Sequence, residues 1–247
     1  MIDTMSTRTW NDIFEELPWV NKNEITDYEV NTLLKLNGHS ISKTGVFTLE
    51  DWEKNIKHIN ENIDYDDNKQ YNILEIGCGA GALLKYYDNS NNKLFGIDPS
   101  IEYYNIIKKS IPNGNFLHGD TLIMDKFNSK FNIILLHSCV QYFDNIEYFT
   151  KCINKIYDFM ESGSKLSLTE LIDKDLSEEF LKYRIAEIGE EKYNELYEKN
   201  NLYHFSISKN ELLEILKNKF NNITFTKCIK RGNENKFYRF NCFCNKI

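Results

Sequence analysis

Three glycines at alternating positions follow a short apolar segment, and this arrangement restricts the fold more than any other feature of the chain. The segment is Ile73-Leu-Glu-Ile76, and the glycines are Gly77, Gly79 and Gly81. Glycine permits a sharp turn and allows a ligand to lie against the main chain. A helix that begins after such a turn presents unpaired N–H groups and a positive dipole. The pattern therefore predicts a site for a nucleotide-like ligand at the carboxyl end of a strand.

Apolar and helical segments alternate after residue 70, which predicts a parallel sheet covered on both faces. The segments that predict its strands are 72–76, 93–97, 114–118, 131–137 and 164–170, with Gly163 as the turn before the fifth. Two more apolar segments, 222–228 and 236–244, indicate a C-terminal hairpin. The predicted fold is a doubly wound α/β domain with a mostly parallel, seven-stranded sheet.

The glycine turn alone is consistent with two kinds of ligand, a dinucleotide or another nucleotide-like molecule. The spacing Gly77-x-Gly79-x-x-Ala82 also fits the dinucleotide fingerprint, and Asp98 at the end of the second predicted strand would suit a ribose in either case. The third strand distinguishes the two, because it ends in an acid, Asp120, that can accept a hydrogen bond from an adenine amino group. A nicotinamide oxidoreductase is therefore disfavoured.

The ordered set of motifs resembles the class I S-adenosylmethionine-dependent methyltransferases over residues 70–170. The set is Glu75-x-Gly77-x-Gly79-x-Gly81, then Gly96-Ile-Asp98-Pro99-Ser100, then Gly119-Asp120, then the strand 131–137. The resemblance implies that S-adenosylmethionine is the cofactor, that Asp98 holds its ribose and that Asp120 contacts its adenine. The residues assigned to the cofactor in this way are Glu75, Gly77, Cys78, Gly79, Gly81, Asp98, Pro99, Ser100, Gly119, Asp120, Thr121 and His137.

Methyl transfer requires an aligned acceptor, exclusion of water and, for some acceptors, removal of a proton. His137 at the end of the fourth strand and His204 after the fifth are the candidate catalytic bases. The candidate substrate-binding residues are His39, Gln141, Tyr142, Glu170, Tyr183, Arg184 and His204. Packing is the alternative role for Tyr142, and an exposed salt bridge is the alternative for Arg184.

Residues 1–68 lack strand alternation and carry helix signals, so we expect a helical lid over the substrate there. One signal is the capping box Thr26-x-x-Glu29, which predicts that a helix starts at residue 26. Residues 69–247 would form the methyltransferase domain, with a helical insertion at about 173–207 that also covers the acceptor.

The charge balance disfavours nucleic acid as a partner. The 247 residues carry a formal net charge of −7 and contain no run of Lys or Arg. In the family, enzymes that methylate exocyclic or amide nitrogens of nucleic acids and proteins carry an Asn/Asp-Pro-Pro-Tyr/Phe motif after the fourth strand, where this chain has His137-Ser-Cys-Val140. The predicted acceptor is a small molecule, methylated at oxygen or nitrogen more readily than at carbon. A protein or tRNA methyltransferase and a non-catalytic cofactor-binding subunit are the alternatives.

The cysteines do not indicate a metal site or disulfide framework. The six are scattered, with no Cys-x-x-Cys pair, which is typical of free thiols in a reducing cytosol. No signal peptide or membrane-spanning segment is expected, because no apolar run approaches about 18 residues. We therefore predict a cytoplasmic monomer or homodimer without a bound metal.

Overall fold

The computed structural model describes residues 9–16, 25, 27–38, 48–198, 202–229 and 237–247. Its centre is a seven-stranded sheet with the order β3-β2-β1-β4-β5-β7-β6. The strands are β1 (Asn72–Ile76), β2 (Lys93–Asp98), β3 (Asn115–His118), β4 (Phe131–His137), β5 (Met160–Ile172), β6 (Phe220–Lys227) and β7 (Arg239–Lys246). Only β7 runs against its neighbours among these strands. The predicted mostly parallel, doubly wound sheet is therefore confirmed.

Helices flank the sheet and cover the edge where the parallel strands end. They are α1 (Trp10–Glu16), α2 (Val30–Leu36), α3 (Leu49–Asn62), α4 (Ile101–Ser110), α5 (Ile146–Phe159), α6 (Ser177–Ile188), α7 (Glu190–Tyr193) and α8 (Lys209–Leu216). A break between α6 and α7 falls at Gly189, where φ is +85°. None of the described helices is both long and apolar enough to cross a membrane.

Each face of the sheet has its own hydrophobic core. Successive residues of β1 point to opposite faces, so Ile73 packs in a core with Ile56 of α3, and Leu74 packs in another with Ile153 of α5. Both faces are therefore covered at the centre of the sheet, as in other parallel sheets, and the strand ends remain as the place for a site.

The capping-box prediction at residue 26 is wrong. Helix α2 begins at Val30 with Glu29 as its N-cap, and Glu29 makes no capping hydrogen bond with its side chain. The Asp27 carboxylate instead accepts hydrogen bonds from the Glu29 N–H at 3.0 Å and the Thr32 hydroxyl at 2.6 Å. This local turn fixes the start of the helix one residue after Glu29. Thr26 itself lies outside the described residues.

The fifth strand is longer than predicted, and Gly163 is not the turn before it. Strand β5 begins at Met160, which pairs with Phe131, and the register then shifts by the time Lys165 pairs with Ile133. Gly163, with φ of +79°, lies in this irregular part of the strand. Glycine thus supplies a bulge inside β5, not the end of the preceding connection. The domain limits 1–68 and 69–247 stay predictions.

Candidate functional site

A cavity of about 690 Å³ lies where the parallel strands end. Strands β1, β2, β4 and β5 contribute Glu75, Asp98, His137 and Glu170 to its wall. Residues from α1, α3 and α6 complete the wall on the side away from the sheet. The predicted helical cover is therefore adjacent to the predicted ligand site.

The glycine turn after β1 forms one side of this cavity. Gly77 has φ of +69° and Gly79 has φ of +52°, a region that favours glycine. A Cβ at Gly77 would lie 2.5 Å from the Cys139 Cβ, and one at Gly79 would lie 2.5 Å from the Asn37 Oδ1. Both positions therefore require glycine for backbone conformation and for space.

Glu75 places a buried carboxyl beside the turn. Its side chain is only 3% exposed, and its Oε2 has no hydrogen-bond partner among the described residues. Burial raises the pKa of Glu75 well above its usual range, and the nearby charge of Asp98 adds to this effect. An unsatisfied buried acceptor that lines a cavity is costly unless a ligand donates to it.

Asp98 links the turn to the start of α4. One carboxylate oxygen accepts the Gly79 N–H at 2.7 Å, and the other accepts the Ser100 N–H at 3.0 Å. Burial raises the pKa of Asp98 to about 6, although these two hydrogen bonds act in the opposite direction. Each carboxylate oxygen has a second lone pair, so Asp98 can also accept from hydroxyl groups of a ligand in the cavity.

Asp120 occupies the equivalent position after β3. Its carboxylate caps the following short helix by accepting the Leu122 N–H at 2.9 Å. Asp120, Gly119 and Thr121 all line the cavity. Strands β1 to β3 thus each place an acidic side chain in the cavity wall, at or within two residues of the strand's carboxyl end.

The structure brings most of the predicted cofactor residues together. Those that line the cavity are Glu75, Gly77, Gly79, Asp98, Pro99, Gly119, Asp120, Thr121 and His137. Three others do not line it, and their contact with the cofactor stays a prediction. The Cys78 thiol is buried in the core against Gly96, Gly81 faces Ile107 of α4, and the Ser100 hydroxyl caps α4.

His137 is held in a defined orientation at the end of β4. Its Nδ1 lies 2.9 Å from the Thr169 Oγ1, and its ring centroid lies 5.4 Å from that of Trp52. The Thr169 hydroxyl can donate to the Leu136 carbonyl at 3.4 Å. In that arrangement Thr169 accepts from an Nδ1–H, which leaves Nε2 as the nitrogen that can take up a proton.

His204 lies in an aromatic wall that covers the cavity. Its ring centroid is 4.6 Å from Trp10, 5.7 Å from Tyr142 and 5.9 Å from Phe180. Burial lowers the pKa of His204 to about 3, with further lowering from Arg239 and Arg184. A histidine with this pKa is neutral near pH 7 and a weak base, so the structure favours His137 over His204 for proton removal.

Arg239 joins the sequence-predicted residues Gln141 and Glu170 into one polar group. It donates to the Gln141 Oε1 at 2.8 Å and to the Glu170 carbonyl, and its Nε lies 4.0 Å from the Glu170 carboxylate. Glu170 has φ of +66°, and Ser138, another residue in the cavity wall, has φ of +53°. Unfavourable backbone conformations of this kind persist where the surrounding structure fixes them, and they often occur at functional sites.

Most of the predicted substrate-binding residues also line the cavity. Gln141, Tyr142, Glu170, Arg184 and His204 line the cavity. Tyr183 does not line it, because its ring packs 5.2 Å from that of Tyr238. His39 lies outside the described residues.

Several cavity residues were not identified from the sequence. They are Trp10, Phe14, Asn37, Trp52, Phe180, Tyr238 and Arg239. For Arg239 a signal existed, since it is a cation between two aromatic residues, Tyr238 and Phe240, in the apolar C-terminal segment. Among the residues that the structure describes, no group of three His, Cys, Asp or Glu side chains could hold a metal ion.

Comparison with known proteins identifies similarity in the part of the chain that contains the glycine turn. Residues 73–163 match the family model described as a methyltransferase domain. A 140-residue segment, 53% of this chain and 50% of the relative, is 27% identical to malonyl-[acyl-carrier protein] O-methyltransferase 1 of Ilyobacter polytropus. The chain spans half or less of the length of the curated relatives that it matches.

Two solved structures share the fold. The plantazolicin methyltransferase BpumL, in complex with a pentazolic desmethylPZN analogue and S-adenosylhomocysteine, superposes with a TM-score of 0.62 at 16% identity, over 96% of this chain and 98% of the other. Magnesium protoporphyrin IX methyltransferase from Synechocystis PCC 6803, also with bound S-adenosylhomocysteine, gives a TM-score of 0.57 at 14% identity, over 83% and 86% of the two chains. The family match identifies a methyltransferase domain within residues 73–163, and the two solved structures show that the chain shares the fold of methyltransferases that bind S-adenosylhomocysteine. Together with the motif set, these findings support a class I S-adenosylmethionine-dependent methyltransferase.

Proposed function

We propose that this protein is an enzyme that transfers a methyl group from S-adenosylmethionine to a small-molecule acceptor, at oxygen or nitrogen in preference to carbon. One observation carries the proposal. A single cavity of about 690 Å³ contains both the glycine turn with its three strand-end acids and a second region walled by aromatic rings, His137 and two arginines. Cavities of this size accommodate small ligands, and here both reactants can share one space.

The residues at the strand ends fit the cofactor chemically. Glu75 offers a buried oxygen that lacks a partner among the described residues, which suits an ammonium group. Asp98 offers acceptor capacity for ribose hydroxyls, and Asp120 for the adenine amino group. When bound, the cofactor supplies a methyl group on a positively charged sulfur that is a good leaving group.

The chain itself excludes water and positions the acceptor. The Trp10 indole donates to the Tyr203 carbonyl at 3.3 Å, which ties α1 to the segment that carries His204. Both segments lie over the cavity through Trp10 and His204. Closure of this kind keeps the reacting groups aligned and dry.

His137 is the residue that we assign to proton removal. Its Nδ1 contact with Thr169 supports a tautomer whose Nε2 accepts a proton from an acceptor hydroxyl or amine. The Ilyobacter relative is named as an O-methyltransferase, which supports oxygen as the acceptor atom.

Calorimetric titration with S-adenosylhomocysteine tests the cofactor assignment, with NADH titrated in parallel. We expect micromolar binding of S-adenosylhomocysteine and none of NADH. Asp98→Asn should weaken binding about 10- to 100-fold, because a charged acceptor is lost. Asp158→Asn is the matched control, since Asp158 is exposed and does not line the cavity. Absence of S-adenosylhomocysteine binding, or binding of NADH in its place, would overturn the proposal.

A further inference from the structure

Aromatic side chains from four separate segments meet on one side of the cavity, and we call this group the aromatic wall. Its members are Trp10 of α1, Tyr142 after β4, Phe180 of α6 and His204 after α7. The ring centroids of Trp10 and His204 are 4.6 Å apart, and those of Phe180 and His204 are 5.9 Å apart. Because each ring is only partly buried and lines the cavity, part of its surface faces a ligand bound there.

The polar atoms of the aromatic wall bind the protein itself. The Trp10 indole N–H donates to the Tyr203 carbonyl at 3.3 Å. Burial raises the pKa of the Tyr142 phenol, and a hydrogen bond with the Gln141 side chain acts in the opposite direction, so this hydroxyl also has a protein partner. Phe180 has no polar atom in its side chain. The wall therefore offers a ligand ring surface more than hydrogen-bonding groups.

The aromatic wall disfavours a positive charge. Burial lowers the pKa of His204 to about 3, and Arg239 and Arg184 act in the same direction. The imidazole is therefore neutral near pH 7 and adds a fourth flat, uncharged ring to the wall. A cationic ligand group beside His204 would lose its hydration as a protonated imidazole does, so a cation–π site is disfavoured.

Contacts between distant segments hold the rings in place before a ligand binds. The Gln141 carbonyl accepts the Phe205 N–H at 2.9 Å, and the Gln141 Oε1 accepts from Arg239 at 2.8 Å. These bonds join the segment that carries Tyr142 to the one that carries His204, and the two ring centroids are 5.7 Å apart. A wall fixed in this way loses little conformational freedom on binding, which favours a ligand whose shape already matches it.

Aromatic rings that are held in place select ligands with flat rings. Aromatic pairs that stack with an offset or meet edge to face are stabilised beyond the effect of the area that they bury. A saturated ring of similar size buries a similar area but has no flat π surface. On the basis of the proposed function, we propose that the methyl acceptor has an uncharged, planar aromatic body that binds against the aromatic wall.

Probes that differ in one property test this substrate class. Benzyl alcohol and cyclohexylmethanol, and 2-naphthol and decahydro-2-naphthol, differ within each pair in the aromatic ring, and benzylamine differs from benzyl alcohol in its positive charge. Each probe is titrated into the full chain saturated with S-adenosylhomocysteine, and its dissociation constant is measured by NMR. We expect each aromatic alcohol to bind about 5-fold or more tightly than its saturated partner. Benzyl alcohol should also bind more tightly than benzylamine.

Substitutions in the aromatic wall assign this preference to its rings. Phe180→Leu and Tyr142→Leu should each reduce the preference for the aromatic alcohol about 3-fold or more, whereas Tyr142→Phe should retain it because the ring remains. Phe159→Leu is the matched control, since Phe159 is also partly buried but lies at the C-terminal end of α5 and does not line the cavity. It should leave the preference unchanged.

The outcomes separate the two proposals. If S-adenosylhomocysteine does not bind, the proposed function fails and the acceptor assignment fails with it. If S-adenosylhomocysteine binds but neither aromatic alcohol binds more tightly than its saturated partner, the aromatic acceptor alone is overturned. Tighter binding of benzylamine than of benzyl alcohol would overturn the uncharged body. If the preference survives in both Phe180→Leu and Tyr142→Leu, or is lost equally in Phe159→Leu, the aromatic wall does not select the ring.

Discussion

The Asn37 side-chain oxygen accepts a hydrogen bond from the Ala80 N–H at 2.6 Å. Asn37 directly follows α2, and Ala80 lies in the middle of the glycine turn after β1. The N-terminal helices therefore hold the turn that faces the cavity, in addition to covering it. Cofactor binding and the position of α2 are coupled through this contact.

Loss of the Asn37 amide should weaken cofactor binding. In Asn37→Ala the Ala80 N–H loses its acceptor, and an unmade hydrogen bond of this kind costs about 1–2 kcal/mol. We expect the dissociation constant for S-adenosylhomocysteine, measured by calorimetry, to rise about 5- to 30-fold. Asn68→Ala in the exposed linker before β1 is the control. Equal affinities of Asn37→Ala and the wild type would show that the turn is held without α2.

A methyl group at Gly79 should disturb the contact between the Asn37 side chain and the glycine turn. In Gly79→Ala the new Cβ would lie 2.5 Å from the Asn37 Oδ1, and the residue would keep an unfavourable φ of +52°. We expect loss of about 1–3 kcal/mol of unfolding free energy in urea and little binding of S-adenosylhomocysteine.

A double-mutant cycle separates these two costs. In the Asn37→Ala background the steric clash at Gly79 is absent and only the backbone cost remains. Gly79→Ala should therefore destabilise that background less than it destabilises the wild type, by at least 0.5 kcal/mol. Additive effects would mean that Asn37 and Gly79 are not in contact in solution.

The cofactor half of the site was largely predictable from the sequence. Its acids occur at the ends of strands that follow one another along the chain, so chain order alone brings Glu75, Asp98 and Asp120 to one edge of a parallel sheet. Helix starts were predictable where the cap is local. Ser208 caps α8 in a capping box with Glu211 three residues later, whereas Asp27 displaced the start expected at residue 26.

The acceptor half was predictable only in part, because its contacts join distant segments. Gln141 and Arg239 are 98 residues apart, and Trp10 and Tyr203 are 193 apart. No local pattern specifies which residue of α1 reaches the segment after α7. A short polar connection, such as the one that carries Asn37, gives no indication of the backbone group that it will bind.

Thr169 should control the basicity and orientation of His137. In Thr169→Val the His137 Nδ1 loses the hydroxyl that lies 2.9 Å away, so the tautomer with an unprotonated Nε2 is no longer favoured. With an acceptor identified, we expect kcat to fall about 10-fold with little change in KM, and Thr169→Ser to retain activity. His137→Gln should lower kcat about 100-fold or more. Full activity of His137→Gln would assign proton removal to another group or to none.

His204 should make the folded state less stable in acid. Its pKa is lowered to about 3 in the folded protein, against about 6.5 when unfolded, so the unfolded chain binds the extra proton between these values. The contribution of His204 to stability is complete above pH 6.5 and declines as the pH falls towards 3. Between pH 6.5 and 5 we expect a loss of about 2 kcal/mol from this residue.

The contribution of Asp98 to stability changes with pH in the direction opposite to that of His204, so the two must be separated by comparing the wild type with a His204 variant. The pKa of Asp98 is raised to about 6, so its contribution to stability is present below pH 4 and declines as the pH rises through 6. Urea unfolding of the wild type and His204→Gln at pH 7.5 and pH 5 isolates the histidine, because Asp98 is common to both. The wild type should lose more stability than the variant over this interval. Equal losses would mean that His204 is accessible to solvent, and that the wall of Trp10, Tyr142 and Phe180 does not keep it dry.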